Sequence, residues 1–321
     1  MITSLLWLTC AMVSADQSDR PCLVLITGAS GNEEYSEQFQ QWASRWEAAA
    51  KQSGLEIKRI GSRKDATNDR QQLKATLNQV SLKTTSPLWI VLIGHGTYSN
   101  KQAKFNLHGP DITATELNEW LKPIQRPIAI VNCASASGPF INGLSQPNRV
   151  IVTATKSGYE NNYARLGEYL SETISDSDAD LDKDGQVSLL EAFILASARV
   201  EEFYRQNGRL ATEHALLDDN GDSLGTPADW FRGVIGQKKA RGAKQLDGLR
   251  ANQLHIITSA EEKRLSPALR QRRNDLEQKL TELRTRKDQF PEEEYFQALE
   301  KICLEIARLY QQTDPSPNNG S

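Results

Sequence analysis

His95 and Cys133 are the residues of this chain best suited to covalent chemistry. Each stands at the end of an apolar run: residues 88–96 read LWIVLIGHG and residues 127–133 read PIAIVNC. An imidazole and a thiol delivered to one sheet edge are a candidate general base and nucleophile, the thiol being activated by the ring or by the start of a following helix. Gly96, directly after the histidine, leaves room for a substrate carbonyl to approach backbone N–H donors, as an oxyanion site requires. A cysteine at a strand end is also a common small core residue, so the pair counts for more than either member. His108-Gly109 repeats the dipeptide but lacks a long apolar run to aim it. Ser135 and Ser137 lack the Gly-x-Ser-x-Gly elbow of a serine hydrolase.

A second chemistry is written in residues 180–191, DLDKDGQVSLLE. The spacing matches an EF-hand calcium loop. Asp180, Asp182 and Asp184 fall at positions one, three and five, and Gly185 falls at the sharp turn in position six. Gln186 would offer its backbone carbonyl, Ser188 would act directly or through water, and Glu191 would give the two-oxygen ligand at position twelve. Ca2+ is the expected cofactor, as a brace holding an insertion against the sheet or as a gate. Asp218-Asp219-Asn220-Gly221-Asp222 resembles half of such a loop, without glycine at six or glutamate at twelve. It reads as a degenerate partner site or as an Asp/Asn/Gly turn.

These groups need a scaffold. Residues 22–28, 55–61, 88–96, 127–133 and 149–155 are apolar runs separated by amphipathic segments. Runs without alternation are buried on both faces, which predicts an α/β fold with a mainly parallel sheet flanked by helices. Residues 104–113 fit a small hairpin ahead of a helix at 113–121. Leu166, Leu170 and Ile174 before the acidic loop, and Leu190, Phe193, Ile194 and Ala198 after it, keep helical spacing, making an EF-hand-like insertion. A connector at 236–264 leads to a charged helical hairpin at 265–312. Leu269, Leu276, Leu280 and Leu283 form one stripe, and Phe296, Leu299, Cys303, Ile306 and Tyr310 the other, around a turn at Phe290-Pro291. That hairpin packs on the α/β domain or on a second subunit, so self-association through it is a possible partnership. Residues 313–321 have the composition of disorder.

The stretch 23–32, LVLITGASGN, looks at first like a dinucleotide loop. Glu33 and Glu34 would repel a pyrophosphate there, the next strand ends Arg59-Ile60-Gly61 with no acid for a ribose, and Tyr163 is followed four residues later by Gly167 where a lysine would be needed.

The chain has 321 residues, a formal net charge of −3, 38% hydrophobic and 25% charged residues. That length suits one sizeable α/β domain with an appendage, and the charge gives no support to nucleic-acid binding. No later run is long enough to span a membrane. Residues 1–15 carry an apolar stretch from Leu5 to Val13 followed by Ser14 and Ala15, which reads as an export signal and predicts a periplasmic or secreted protein; a short buried element is the other reading. Cys22, Cys133 and Cys303 then remain, with Cys22 and Cys303 expected in the core or in a disulfide.

An apolar strand ending His-Gly, followed by an apolar strand ending Cys-x-Ser-x-Ser, resembles the caspase–legumain clan of cysteine peptidases, and most of all its legumain-like and bacterial caspase-like members. The resemblance spans residues 22 to 200 and, with the acidic loop, delimits a caspase-like domain over 22–235. It implies attack by Cys133 on a peptide carbonyl, assistance and leaving-group protonation by His95, and an oxyanion hole from the amides of Gly96 and Cys133. It implies also that the loop after the first strand lines the pocket for the residue before the cut, with Gly28, Ser30, Asn132 and Ser135 around it. The caspase pattern Gln-Ala-Cys-x-Gly is replaced by Asn132-Cys133-Ala134-Ser135, and Ala134 stands where legumains carry an acid, so the preferred residue before the cut is open. The resulting expectation is an exported, calcium-binding cysteine endopeptidase acting on peptides or proteins. Its rival is a non-catalytic calcium-binding interaction module on the same scaffold.

Overall fold

The computed structural model describes residues 20–62, 67–80 and 82–312. The predicted export signal and the predicted disordered tail lie outside them. Three strands open the chain: β1 (Cys22–Thr27), β2 (Glu56–Ile60) and β3 (Leu88–Ile93). A small antiparallel unit follows, β4 (Gly96–Ser99), β5 (Gln102–Phe105) and β6 (Ile112–Thr113). Then come β7 (Ile128–Asn132), β8 (Arg149–Thr153) and β9 (Leu216–Asp218). The central sheet runs β2-β1-β3-β7-β8-β9, parallel throughout except for β9, which pairs antiparallel at the edge. Every residue of β1, β3, β7 and β8 is buried. Such strands need cover on both faces, and the expected α/β class with a mainly parallel sheet is the one observed.

On one face lie the helices α1 (Glu33–Gln52), α5 (Leu166–Thr173) and α6 (Leu189–Gln206); on the other lie α2 (Asp69–Gln79), α3 (Ala114–Leu121) and α4 (Pro139–Leu144). Phe39, Trp42, Ala43, Trp46, Ala49 and Ala50 recur at three- and four-residue spacing on α1 and are all buried. Asn32 caps that helix, its side chain accepting from the Tyr35 N–H at 2.9 Å. Glu33 and Glu34 sit in its first turn, where carboxylates complement the helix dipole and leave no welcome for a phosphate. Residues 104–113 do fold back as β5 pairing with β6, and β4 extends that unit through a turn with left-handed Asn100 and Lys101.

Residues 236–264 are more ordered than the word connector suggests. After a short hairpin, β10 (Phe231–Arg232) with β11 (Ile235–Gly236), they include α7 (Leu249–Asn252) and α8 (Ala260–Arg264). They also pair with the acidic loop: the Leu189 N–H donates to the Leu254 carbonyl at 2.8 Å and Ser188 bridges His255. Two long helices finish the chain, α9 (Pro267–Thr285) and α10 (Glu292–Gln311), packed on each other as the predicted hairpin. The packing stripe of α10 differs in part from the expected one. Tyr295 and Leu309 are buried and Leu299, Ile306 and Tyr310 half-buried, while Phe296, Cys303 and Leu304 face solvent. Cys303 is therefore neither core nor disulfide; Cys22 is core, and all three described cysteines are free thiols.

Candidate active site

In the order β2-β1-β3-β7 the chain leaves β1 toward one edge of the sheet and β3 toward the other, and the crevice beyond such a switch point is where α/β sheets gather functional groups. The segments after β1, β3 and β7 meet there. Gly28 packs so closely on the hairpin that a Cβ would lie 2.3 Å from the Asn106 carbonyl oxygen. The Ala29 N–H donates to that carbonyl, and the Asn106 N–H donates to the carbonyl of His95. Thus Asn106 staples the glycine loop to the histidine.

His95 itself is half-buried. Its ring lies edge-on to Tyr35 and Phe39, with centroids 4.8 and 5.1 Å away, and its Nε2 is 3.1 Å from the Ser30 carbonyl oxygen. A carbonyl can only accept, so Nε2 carries the proton and Nδ1 is left as the basic nitrogen. Burial pushes the ring's pKa down, with the Ser30 contact opposing, so the imidazole is neutral. Next in the chain, the Gly96 N–H donates to the Ser135 hydroxyl at 3.3 Å, and that hydroxyl donates to the Gly96 carbonyl at 3.2 Å. Four of the expected groups, Ser30, His95, Gly96 and Ser135, are thereby brought together.

Cys133 is placed differently. It continues β7, its N–H donating to the Leu92 carbonyl at 2.9 Å, and only 1% of its surface is exposed. Among the described residues no hydrogen bond joins its thiol to the His95 ring. A Cβ on Gly167 would lie 2.7 Å from both the Cys133 Cβ and the Trp42 ring. The thiol thus packs under α5 and Trp42, and the contact chain to His95 runs through Trp42 and Phe39, 5.4 Å apart. Burial, reinforced by the Glu213 carboxylate, pushes the thiol up to about 12, the opposite of an activated nucleophile. The Cys133 and Gly96 amides expected to form the oxyanion hole are both engaged, in the sheet and on Ser135. Asn132 is buried beside them; its Oδ1 accepts from the Ala134 N–H and its Nδ2 has no partner. A cleft of about 810 Å³ opens at the opposite, amino-terminal edge of the sheet, between residues such as Pro21, Pro127, Gln253 and Asn274, away from this chemistry.

In the acidic loop, carboxylate oxygens of Asp180, Asp182 and Asp184 lie within 4.8 Å of one another. Gly185 is left-handed, with φ 84°, and its N–H donates to Asp180 Oδ2 at 3.1 Å. Asp180 Oδ1 is buried and has no hydrogen-bond partner. Glu191 caps α6 reciprocally with Ser188 and also accepts from the Leu181 N–H at 2.7 Å. The Gln186 side chain is already engaged, its amide donating to Asp184 Oδ2 and its oxygen accepting from the Ser259 N–H, both at 3.0 Å, which leaves its backbone carbonyl as the ligand it can offer. Asp182 is pushed up to about 6 by burial and then by Asp184 and Glu191. An orphaned anionic oxygen in a ring of repelling carboxylates fits a hard divalent cation.

No protein-family model matches this chain, and no curated protein matches it. Solved structures to which it is similar include the Drosophila initiator caspase Dronc, at 11% identity over 64% of this chain and 81% of that one, with a TM-score of 0.43. Caspase-1 from Spodoptera frugiperda is similar at 9% identity over 63% and 87%, with a TM-score of 0.41. Raptor from Chaetomium thermophilum is similar at 9% identity over 49% of this chain and 18% of that one, with a TM-score of 0.34.

The sequence reading missed the groups that cover the thiol. Tyr163 stacks on Tyr35 and bonds Gln38 at 2.5 Å, and Glu213, 4% exposed, accepts the Arg165 and Leu166 N–H groups at the start of α5. Glu160 ties the same cover down through the His214 ring at 2.5 Å. These contacts join residues far apart in the chain, so spacing carries no trace of them.

Proposed function

We propose that this chain is a cysteine peptidase whose His95–Cys133 pair is held shut in the resting state, and that residues 180–191 bind Ca2+. The observation that carries the first half is the arrival of both residues at the carboxyl ends of the adjacent parallel strands β3 and β7. His95 holds its proton on Nε2 against Ser30 and has Nδ1 as base. In the reaction, the thiol proton passes to that ring, Cys133 sulfur bonds to the peptide carbonyl carbon, and the ring returns the proton as the amine leaves. Water then releases the acyl group and restores the thiol. Access to Cys133 requires the segment from Glu160 to Leu166 to lift from Trp42.

The second half rests on the orphaned Asp180 oxygen amid three carboxylates. Asp180, Asp182, Asp184, the Gln186 carbonyl, Ser188 and Glu191 would hold the ion. When bound, it supplies positive charge that lets these carboxylates stay ionised together. Export belongs to the same reading, since extracellular calcium fills even weak loops.

One observation favours the rival, a non-catalytic calcium-binding module: Cys133 is buried and its thiol is pushed up to about 12. The deciding experiment is hydrolysis of peptides varied at the residue before the cut, with calcium and with chelator, for the natural chain and Cys133→Ala. Hydrolysis that disappears in the variant upholds the peptidase. A folded, calcium-loaded chain that cuts none of the peptides gives the rival the field.

A further inference from the structure

Residues 218–226 fold as a second copy of the loop at 180–191. Counting Asp218 as position one puts Asn220 at three and Asp222 at five. Positions four and six are left-handed in both loops: Lys183 and Gly185 have φ of 62° and 84°, Gly221 and Ser223 of 80° and 65°. The N–H at five donates to the side-chain oxygen at three, Asp184 to Asp182 at 3.3 Å and Asp222 to Asn220 at 2.9 Å. The N–H at seven donates to the carboxylate at five, Gln186 to Asp184 at 3.0 Å and Leu224 to Asp222 at 2.8 Å.

The acid at position twelve is where the two part in sequence and agree in space. Glu191 accepts from the N–H groups at two and three, Leu181 and Asp182, at 2.7 and 3.3 Å, and from the position-nine hydroxyl of Ser188 at 2.8 Å. In the second loop position twelve is Asp229, which is exposed. Its place is taken by Asp247, which accepts from the N–H groups of Asp219 and Asn220 at 3.1 and 3.3 Å and from the Thr226 hydroxyl at 2.5 Å. A residue from the segment after β11 thus completes a loop that looks truncated in the sequence.

Loop shape alone points to no ligand; the oxygens do. Asp218 is 1% exposed, and its Oδ2 is buried without a hydrogen-bond partner. The Oδ2 of Asp222 is orphaned in the same way. Nearby donors are already used: the Gly221 N–H serves Asp218 Oδ1, and the Gly248 and Ala251 N–H groups serve Asp219. An anionic oxygen withdrawn from water needs a donor or a cation, and besides the Ser145 hydroxyl, which opposes the effect of burial on the Asp218 carboxyl, none of the hydrogen bonds among the described residues reaches either Oδ2.

We infer that Asp218, Asn220 and Asp222, with the Leu224 carbonyl at position seven, form a second site for a divalent cation of the calcium class, closed from behind by Asp247 where the first loop has Glu191. All its ligands are oxygens, which suits Ca2+ over the transition metals. With Asn220 in place of an aspartate it carries one negative charge fewer than the first loop, so it fills second. Its cation would tie the end of β9 to the segment that caps α7. The site stands on its own oxygens and depends neither on the peptidase reading nor on the first loop.

The test is calcium binding to the full chelator-stripped chain by isothermal titration calorimetry, with circular dichroism verifying that each variant is folded. The expected result is two equivalents, of which Asp222→Asn removes the weaker and Asp184→Asn the tighter. Two equivalents kept in folded Asp222→Asn, or a single equivalent lost only in Asp184→Asn, would overturn the second site. A single equivalent lost in Asp222→Asn and kept in Asp184→Asn upholds it and sinks the first-loop reading instead. Absence of binding overturns both. Asp247→Asn, buried and therefore more dangerous to folding, is the confirming variant, and loss of the weaker equivalent there assigns the distant acid its role.

Discussion

The thiol at the end of β7 and the carboxylates of the 180–191 loop are the two reactive groups of this molecule, and they are kept in opposite surroundings. Cys133 lies among Trp42, Gly167 and the β-sheet core with 1% of its surface exposed, whereas Asp182 and Asp184 face solvent. Burial raises the thiol to about 12, whereas Asp182, although it meets solvent, is pushed up to about 6 by partial burial and then by its neighbours Asp184 and Glu191. The carboxylates can be relieved by an arriving cation without any movement of the fold. The thiol can be relieved only by moving the cover, because it is sealed beneath Trp42 and α5 and the nearby Glu213 carboxyl opposes a second negative charge. On the reading proposed above, one region would be relieved by a ligand and the other by a conformational change.

Thiol reactivity is the measurement most able to break that contrast. The thiolate is the species that alkylates, so a pKa raised to about 12 leaves less of it at any neutral pH than an ordinary thiol has. Cys303, exposed on α10, is the internal control. Pulse labelling with iodoacetamide followed by mass spectrometry is expected to modify the exposed Cys303 far faster than the buried Cys133. The Cys133 rate should climb with pH well beyond the range in which an ordinary thiol levels off. Equal rates would mean that the cover opens freely and the stored thiol is no such thing.

The loop region is held by ions where the strand edge is held by carbon. Glu262, 3% exposed, receives Arg273 at 2.5 Å and Arg270 at 2.8 Å from α9, and the Ser259 that caps its helix donates its N–H to Gln186 in the loop. Removing one partner of a buried pair strands the other charge, so Glu262→Ala should cost about 3–5 kcal/mol in urea unfolding. A loss below about 1 kcal/mol would mean the pair behaves as a surface one.

How far the sequence reaches follows the same division. The strands, their parallel order and the helical hairpin are legible because apolar runs and helical stripes are local patterns, and His95 and Cys133 are legible because they end such runs. The acidic loop reads as consecutive residues. Asp247 does not, since it stands 28 residues beyond Asp219 in the chain; only the folded contacts to Asp219, Asn220 and Thr226 reveal it. The burial of Tyr295 in place of Phe296 on α10 is likewise tertiary, since both residues fit a helical period equally well.

A pH effect sharpens the comparison on the loop side. His255, bridged to Ser188, is pushed down to about 4 by burial first and then by Arg273, with Glu262 opposing. The unfolded chain takes up the proton near 6.5 and the folded chain only near 4. Stability from this residue is therefore complete above the unfolded value and is lost as pH falls between the two. The full shift corresponds to about 3 kcal/mol at most, and to less here because the residue keeps partial contact with solvent. The difference in unfolding free energy between the natural chain and His255→Gln should shrink across that window; a flat difference would leave the ring without this role.

The smallest effect belongs to the cover itself. Gly167 is the point at which α5 touches both Cys133 and Trp42, and a methyl group there would meet each at 2.7 Å. Neither neighbour is the free end of a flexible chain: one is a Cβ at the end of a sheet strand and the other a fully buried indole. The helix must therefore ride up, and overpacking of this kind costs about 1–3 kcal/mol. If the thiol is sealed by this contact, Gly167→Ala should also raise the Cys133 labelling rate while leaving that of Cys303 unchanged. A destabilised chain with unchanged Cys133 labelling would place the seal elsewhere, at Tyr163 and the Glu160–His214 pair, and would move the search for the opening motion to that end of the segment.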